Sequence, residues 1–257
     1  MGGLIVQSNH GPRLRGEIYA QAFSARNQEF AMRPELISID AVVFDAYGTL
    51  FDTASAARRH AAHLGERWTA LAQLWRDKQL QYTWLRALSG QWADFQTVTS
   101  DALDFAMDSL GLVDTNLHAD LMHAYLTPDP FPDVADTLHR LQQSGKRLGI
   151  LSNGSAPMLA AAVQHAGLEA LLSAVLSVDR VRTFKPHPGV YQLAVDAFEL
   201  PAHRMLFVSS NGWDAWCAKA YGFRVAWCNR GGLTPERLPA SPDQTIPGLA
   251  PLPSLLR

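Results

Sequence analysis

Residues 37–52 read ISIDAVVFDAYGTLFD, and the stretch from Ile37 to Asp45 decides the fold. It ends in an apolar run, Ala41-Val42-Val43-Phe44, which closes on a carboxylate, Asp45. An apolar run without polar alternation fits a strand covered on both faces, the kind found in parallel sheets. A carboxylate at the end of such a strand needs a reason, because buried charge is costly unless it is paired.

Outward from this strand, short apolar or β-branched runs recur at 147–152 (RLGILS), 174–178 (AVLSV), 204–209 (RMLFVS) and 224–228 (RVAWC). Helical patterns separate them at 134–144, 157–165, 188–198 and 213–221, several opened by Pro or an acidic first turn. Strand alternating with helix predicts an α/β fold, a parallel sheet with helices on both faces. Residues 53–126 are helical by composition and carry no convincing strand, which predicts an inserted helical cap. The core is then 37–52 together with 127–230. In the cap, a helix around 71–88 places Arg76, Leu80, Thr83, Trp84 and Ala87 on one face, so a cation shares an apolar stripe. Residues 1–36 read as a loose polar arm with scattered arginines, and Met32 is an alternative start that an intact native mass would test. The Pro-rich segment 231–257 shows no periodicity and is expected to wrap the surface as a tail.

Composition bounds the partners. The 257 residues are 47% apolar and 18% charged, enough for one large domain or a domain with an insert. With 22 basic against 24 acidic residues, no bulk charge gathers nucleic acid or a membrane surface. No apolar run approaches the roughly 20 residues of a spanning helix. The cysteines, Cys217 and Cys228, match no zinc spacing and are too few to staple a secreted fold, so a reducing cytoplasm is the expected location.

In open α/β sheets ligands sit at the carboxyl ends of the strands, so what each strand delivers there matters. The first delivers Asp45-Ala46-Tyr47-Gly48-Thr49, the second Ser152-Asn153-Gly154, the fourth Ser209-Ser210-Asn211-Gly212-Trp213-Asp214, and Lys185-Pro186 follows the third. A carboxylate, hydroxyls, amides and an ammonium therefore converge on one crevice.

These residues resemble the haloacid dehalogenase superfamily, whose signatures are a nucleophilic Asp, a Ser or Thr, a distant Lys and an acidic fourth motif. More narrowly, FDAYGTLFD at 44–52, WRDKQLQYTWLRAL at 75–88, LSNG at 151–154, Lys185-Pro186 with Tyr191, and FVSSNGWD at 207–214 resemble the (S)-2-haloacid dehalogenases. The resemblance spans about 37–230. It implies a Rossmann-like core with a cap, a homodimer, and metal-independent hydrolysis of small (S)-2-haloacids to (R)-2-hydroxyacids and halide through an aspartyl ester. No cofactor is expected.

The residues separate this chemistry from that of phosphatase relatives. Tyr47 stands where a phosphatase commonly has its general-acid Asp, and Ser209 and Ser210 stand where a magnesium site wants carboxylates. A halide leaves without a proton, so the missing acid costs that reaction nothing. The resemblance implies that Asp45 is the nucleophile and that Arg76 accepts the halide, with Asn153 sharing that task. Lys185 is placed to pair with Asp45 and favour its charged form. Ser152 and the backbone after Asp45, beginning at Ala46, are expected to cradle the substrate carboxylate with help from Lys185. Thr49, Tyr191, Ser209, Asn211 and Asp214 match the remaining catalytic positions, with Asp214 the better base on charge alone. Tyr47, Leu80, Phe95 and Trp213 fit an apolar wall around a short acid. Asp77, where relatives commonly carry Gln, is expected to repel an anionic substrate or partly neutralise Arg76. Two other classes stand beside this reading: a phosphatase or phosphonatase of the same superfamily, and a silent binder of an acidic metabolite or protein. A binder needs no nucleophile.

Overall fold

The computed structural model describes residues 39–256; the expected arm at 1–36 lies outside them. Six parallel strands form one sheet in the order β3-β2-β1-β4-β5-β6, namely β1 Ala41–Phe44, β2 Arg147–Ser152, β3 Ala174–Ser177, β4 Met205–Ser209, β5 Arg224–Cys228 and β6 Gln244–Ile246. β1 lies between β2 and β4, with Phe44 opposite Ile150 on one side and Val208 on the other. All four β1 side chains are buried, as a central strand covered on both faces requires. The chain leaves β1 first toward β2 and β3 and later toward β4 and β5. The crevice at the end of β1 and β4 is therefore the switch point of the sheet, where ligands sit in such folds.

Ten α-helices accompany the described strands. α1 Ser55–Arg59, α2 Ala61–Leu64, α3 Arg67–Ser89, α4 Phe95–Ser109 and α5 Thr115–Leu126 all fall between β1 and β2. Carboxylate caps start two of them: Asp94 accepts from Thr97 N–H at 2.8 Å, and Asp114 accepts from Asn116 and Leu117 N–H at 2.9 and 3.0 Å. α6 Val134–Gln143, α7 Ala156–His165, α8 Pro188–Phe198 and α9 Gly212–Tyr221 alternate with the strands, and α10 Leu252–Leu255 closes the chain. None of the described helices is long and apolar enough to cross a membrane.

Within the segment expected as a surface tail, residues 231–239 are exposed without strand or helix, but the part from 244 onward is built into the fold. Its residues 244–246 add β6 to the sheet edge, with Trp227 opposite Thr245, and Ile246, Leu249, Leu252, Leu255 and Leu256 are buried. Asp133 fixes this return: it accepts both guanidinium nitrogens of Arg230, at 2.9 and 2.8 Å, and the N–H of Leu249 at 2.7 Å. The first strand is also shorter than its apolar pattern, since Ile39 and Asp40 precede it without sheet assignment.

Candidate active site

β1 stops at Phe44, and the turn that follows folds back on itself. Thr49, Leu50 and Phe51 all donate their N–H to Ala46 carbonyl oxygen, at 3.2, 2.9 and 3.1 Å, and Gly48 takes φ +93°, a conformation that side-chain-bearing residues rarely adopt. The turn brings the Thr49 hydroxyl to Asp45 Oδ2 at 3.0 Å. Ser210 N–H donates to the same hydroxyl at 2.8 Å and so fixes its direction.

Asp45 is 6% exposed, and both of its oxygens are occupied. Lys185 Nζ donates to Oδ1 at 2.9 Å, while Asn211 Nδ2 joins Thr49 on Oδ2 at 2.8 Å. The same ammonium donates to Asp214 Oδ2 at 2.9 Å, and the Tyr191 hydroxyl donates to Asp214 Oδ1 at 2.7 Å. Burial works against the Lys185 ammonium, but the charges of Asp214 and Asp45 more than offset it and raise its pKa. Burial raises the Asp214 pKa despite the attraction of Lys185, and the Asp45 charge adds to the rise. Burial, with the Asp214 charge behind it, also pushes the Tyr191 hydroxyl well above the ordinary phenol value. Tyr191 lies in α8 with its ring buried, and its hydroxyl reaches across to Asp214.

The β4–α9 junction supplies the opposite wall. Ser209 Oγ accepts from Asn211 N–H at 3.2 Å, which shapes the turn but does not reach Asp45. Asn211 then caps α9, and Asp214 sits buried in the first helical turn, where a negative charge is favoured by the helix dipole. From β2, Asn153 Oδ1 accepts the backbone N–H of Lys185 at 2.9 Å and pins the lysine segment. Ser152 Oγ accepts from Gly154 N–H at 3.0 Å. Gly154 is required by close approach, since a Cβ there would lie 2.7 Å from the Tyr47 ring.

Arg76 reaches the core from α3. Its Nη2 donates to Tyr47 carbonyl oxygen at 3.1 Å and to Asn211 Oδ1 at 3.3 Å, and its Nη1 to Gln79 Oε1 at 2.7 Å. The Tyr47 ring is walled by Tyr125 and Phe95, with centroids 5.5 and 5.6 Å away. Its hydroxyl is buried with no hydrogen-bond partner among the described residues, and burial raises its pKa well above the usual phenol value.

A family model for haloacid dehalogenase-like hydrolases matches residues 39–222. The chain belongs to that family. This haloacid dehalogenase-like hydrolase is 42% identical over 221 residues to (S)-2-haloacid dehalogenase 2 of Pseudomonas sp. (strain CBS-3), covering 85% of this chain and 96% of the relative. A solved L-2-haloacid dehalogenase superposes with TM-score 0.83 at 45% identity, covering 85% of this chain and 99% of the other. The L-2-haloacid dehalogenase of Xanthobacter autotrophicus with chloropropionic acid covalently bound superposes with TM-score 0.77 at 41% identity, covering 85% and 98%.

Several expected residues of the dehalogenase-like hydrolase pack against groups other than Asp45. Leu80 is half-buried one helical turn beyond Arg76. Phe95 is buried against Tyr47 and Phe184. Trp213 meets Trp84 edge-on at 5.3 Å and lines an apolar cavity of about 430 Å³ with Phe184, Pro186 and Leu88. Asp77 is exposed and accepts from Gln73 Nε2 at 2.9 Å, while Gln79 takes the contact to Arg76. Successive helical residues project about 100° apart, which turns Asp77 off the face that carries Arg76.

Gln79, Thr99 and Tyr125 also belong to the site and carried no functional signal of their own in the sequence. Gln79 stands three residues after Arg76, but only folding brings Thr99 and Tyr125 to it. A divalent cation does not fit the donors present. Asp45 and Asp214 are the carboxylates that converge here, and the Lys185 ammonium already stands within 2.9 Å of each.

Proposed function

We infer that this chain hydrolyses small (S)-2-haloacids, such as chlorinated or brominated propionate, to (R)-2-hydroxyacids and halide, and the achiral haloacetates to glycolate and halide. The observation that carries the reading is the Asp45–Lys185–Asp214 chain at the sheet switch point, faced by an arginine and with a tyrosine in the general-acid position of phosphatases. Asp45 attacks the halogen-bearing carbon in line, the carbon–halogen bond breaks with its electron pair leaving on the halide, and an aspartyl ester remains. Water then adds to the Asp45 carbonyl carbon, the hydroxyacid departs, and the carboxylate is regenerated. The substrate carbon is attacked once, so its configuration inverts once.

The supporting residues each answer a charge or an orientation. Thr49 and Asn211 hold one carboxylate oxygen and Lys185 the other, so the nucleophile approaches in a fixed plane. Ser209 acts through the turn that aims Asn211. Arg76, assisted by Asn153, receives the departing halide. The backbone N–H groups of Ala46 and Tyr47 find no acceptor among the described residues, which supports them, with Ser152 and Lys185, as the cradle for the substrate carboxylate. Tyr47, Leu80, Phe95 and Trp213 form the apolar wall. Asp214 takes the water proton: it keeps its charge when Asp45 is an ester, and burial raises its proton affinity. Tyr191 orients it.

We further propose that 37–52 with 127–230 act as the core and 53–126 as a cap that brings Arg76 over Asp45. The protein works in the cytoplasm as a homodimer, a reading supported by exposed Leu85, Leu88 and Phe105 on α3 and α4. The primary test is halide release from both enantiomers of 2-chloropropionate with excess chelator. Release from the (S) form alone, unaffected by chelator, is expected. Phosphoester cleavage that needs magnesium, with no halide release, would overturn the reading. In a single turnover with enzyme in excess and heavy-oxygen water, label should enter the Asp45 carboxylate, and Asp45→Asn should abolish turnover; label confined to the product would mean direct attack by water.

A further inference from the structure

Gln79 is 1% exposed, and both ends of its amide are hydrogen-bonded. Oε1 accepts from Arg76 Nη1 at 2.7 Å and from the Tyr125 hydroxyl at 3.1 Å, and Nε2 donates to Thr99 Oγ1 at 2.7 Å. Thr99 has one hydroxyl hydrogen, and Phe95 carbonyl oxygen takes it at 2.6 Å, so toward Gln79 the hydroxyl can only accept. The amide nitrogen must therefore face Thr99 and the amide oxygen must face Arg76. The anchor is itself fixed, because Trp75 Nε1 donates to Thr99 carbonyl oxygen at 2.8 Å. Tyr125 is fixed too, stacked on Tyr47 at 5.5 Å with an interplanar angle of 18°.

We propose that Gln79, locked by Thr99 and Tyr125, is a positioning residue that aims the Arg76 guanidinium at the departing halide. An amide suits this task where a carboxylate does not. It accepts a hydrogen bond that fixes the guanidinium plane and leaves the positive charge uncancelled for the leaving anion. The other guanidinium nitrogen bonds Asn211, whose amide nitrogen donates to Asp45. The orientation set by Gln79 thus passes to the nucleophile as well as to the leaving group. The inference rests on the dehalogenase reading above and adds an orienting group that does not touch substrate.

The test is single-turnover halide release from (S)-2-bromopropionate and (S)-2-chloropropionate, first with the unaltered protein and then with Gln79→Met and Tyr125→Phe. Chloride is the poorer leaving group and depends more on a well-aimed cation. Gln79→Met is expected to raise the bromide-to-chloride rate ratio on the order of tenfold, equivalent to about 1.4 kcal/mol at the chloride transition state. Tyr125→Phe, which removes one donor to the amide and keeps the ring stack, should raise it about two- to threefold, a fraction of that constant. A purely structural role lowers both rates together, so an unchanged ratio in both variants overturns the proposal. If Gln79→Met does not fold, the ratio in Tyr125→Phe decides. Absence of halide release from the unaltered protein would instead defeat the dehalogenase reading, and with it this one, before any variant is compared.

Discussion

Lys185→Met keeps most of the side-chain length and removes one buried charge from between two carboxylates. At the observed 2.9 Å, each Lys185–carboxylate attraction amounts to about 6 kcal/mol at an effective dielectric near 20. Much of that offsets the ammonium's own loss of hydration, and removing one partner of a buried pair costs about 3–5 kcal/mol net. Urea unfolding at pH 7 should therefore show a loss in that range. In the variant, Asp45 and Asp214 share a buried space with no cation between them, so one of them takes up a proton. Its pKa in the folded variant then lies above the unfolded value. The variant's stability is accordingly greatest at low pH and falls as pH rises through the folded value, so the gap to the unaltered protein should narrow toward pH 5. Lys185→Met/Asp214→Asn removes the surplus charge and should be more stable than Lys185→Met alone. Halide release should fall by about a thousandfold or more, the scale of losing a preorganised charge at a reacting group. A single variant within about 1 kcal/mol of the unaltered protein at pH 7 would refute the argument. So would a double variant destabilised by the sum of the two single changes.

Two further outcomes follow from the same contacts. Tyr191→Phe deletes a 2.7 Å donor to the fully buried Asp214, which should cost about 1–3 kcal/mol of stability. It should slow ester hydrolysis more than halide release, so rapid-quench mass spectrometry should find the Asp45 ester accumulating; equal slowing of both steps would detach Tyr191 from the water step. Arg230 and the Leu249 N–H hold the Asp133 carboxyl below its ordinary pKa against the opposing effect of burial. Its stabilisation is fully present above the unfolded carboxylate pKa of about 3.9 and is lost as pH falls from there through the lower folded value. Asp133→Asn should therefore flatten that acid limb in thermal melts and, because the pair is partly open to solvent, cost about 1 kcal/mol at pH 7.

Local pattern was enough for the central strands and for the place of the carboxylate at the end of β1. β2, β3, β4 and β5 fall within the apolar runs that mark them, because a strand buried on both faces must be apolar along its length. Asp45 at a strand end would by itself read as a turn or cap residue; it was the motifs in order that marked it, with Lys185, Asn211 and Asp214, as candidates, and the fold brings these four within hydrogen-bond reach of one another. β6 was not legible. Its three residues, Gln244, Thr245 and Ile246, carry too short a pattern, and what makes them a strand is the free edge of β5. Which way Asp77 faces was not legible either, because adjacency in sequence is not adjacency on a helix: its neighbour Arg76 turns inward while it turns to solvent.

Sequence by itself thus determined the strands from β1 to β5 and the helices that alternate with them, where the carboxylate sits, and which kind of reaction suits a site with Tyr47 in place of an acid. Only tertiary structure decided how the charges are shared. Lys185 bridges two carboxylates that lie 169 positions apart in the chain, Asp45 and Asp214, and Arg76 reaches Asn211 across 135 positions. The reason is physical: periodicity and propensity act over a few residues, whereas a buried charge or amide is satisfied by whichever partner the packed chain brings within about 3 Å.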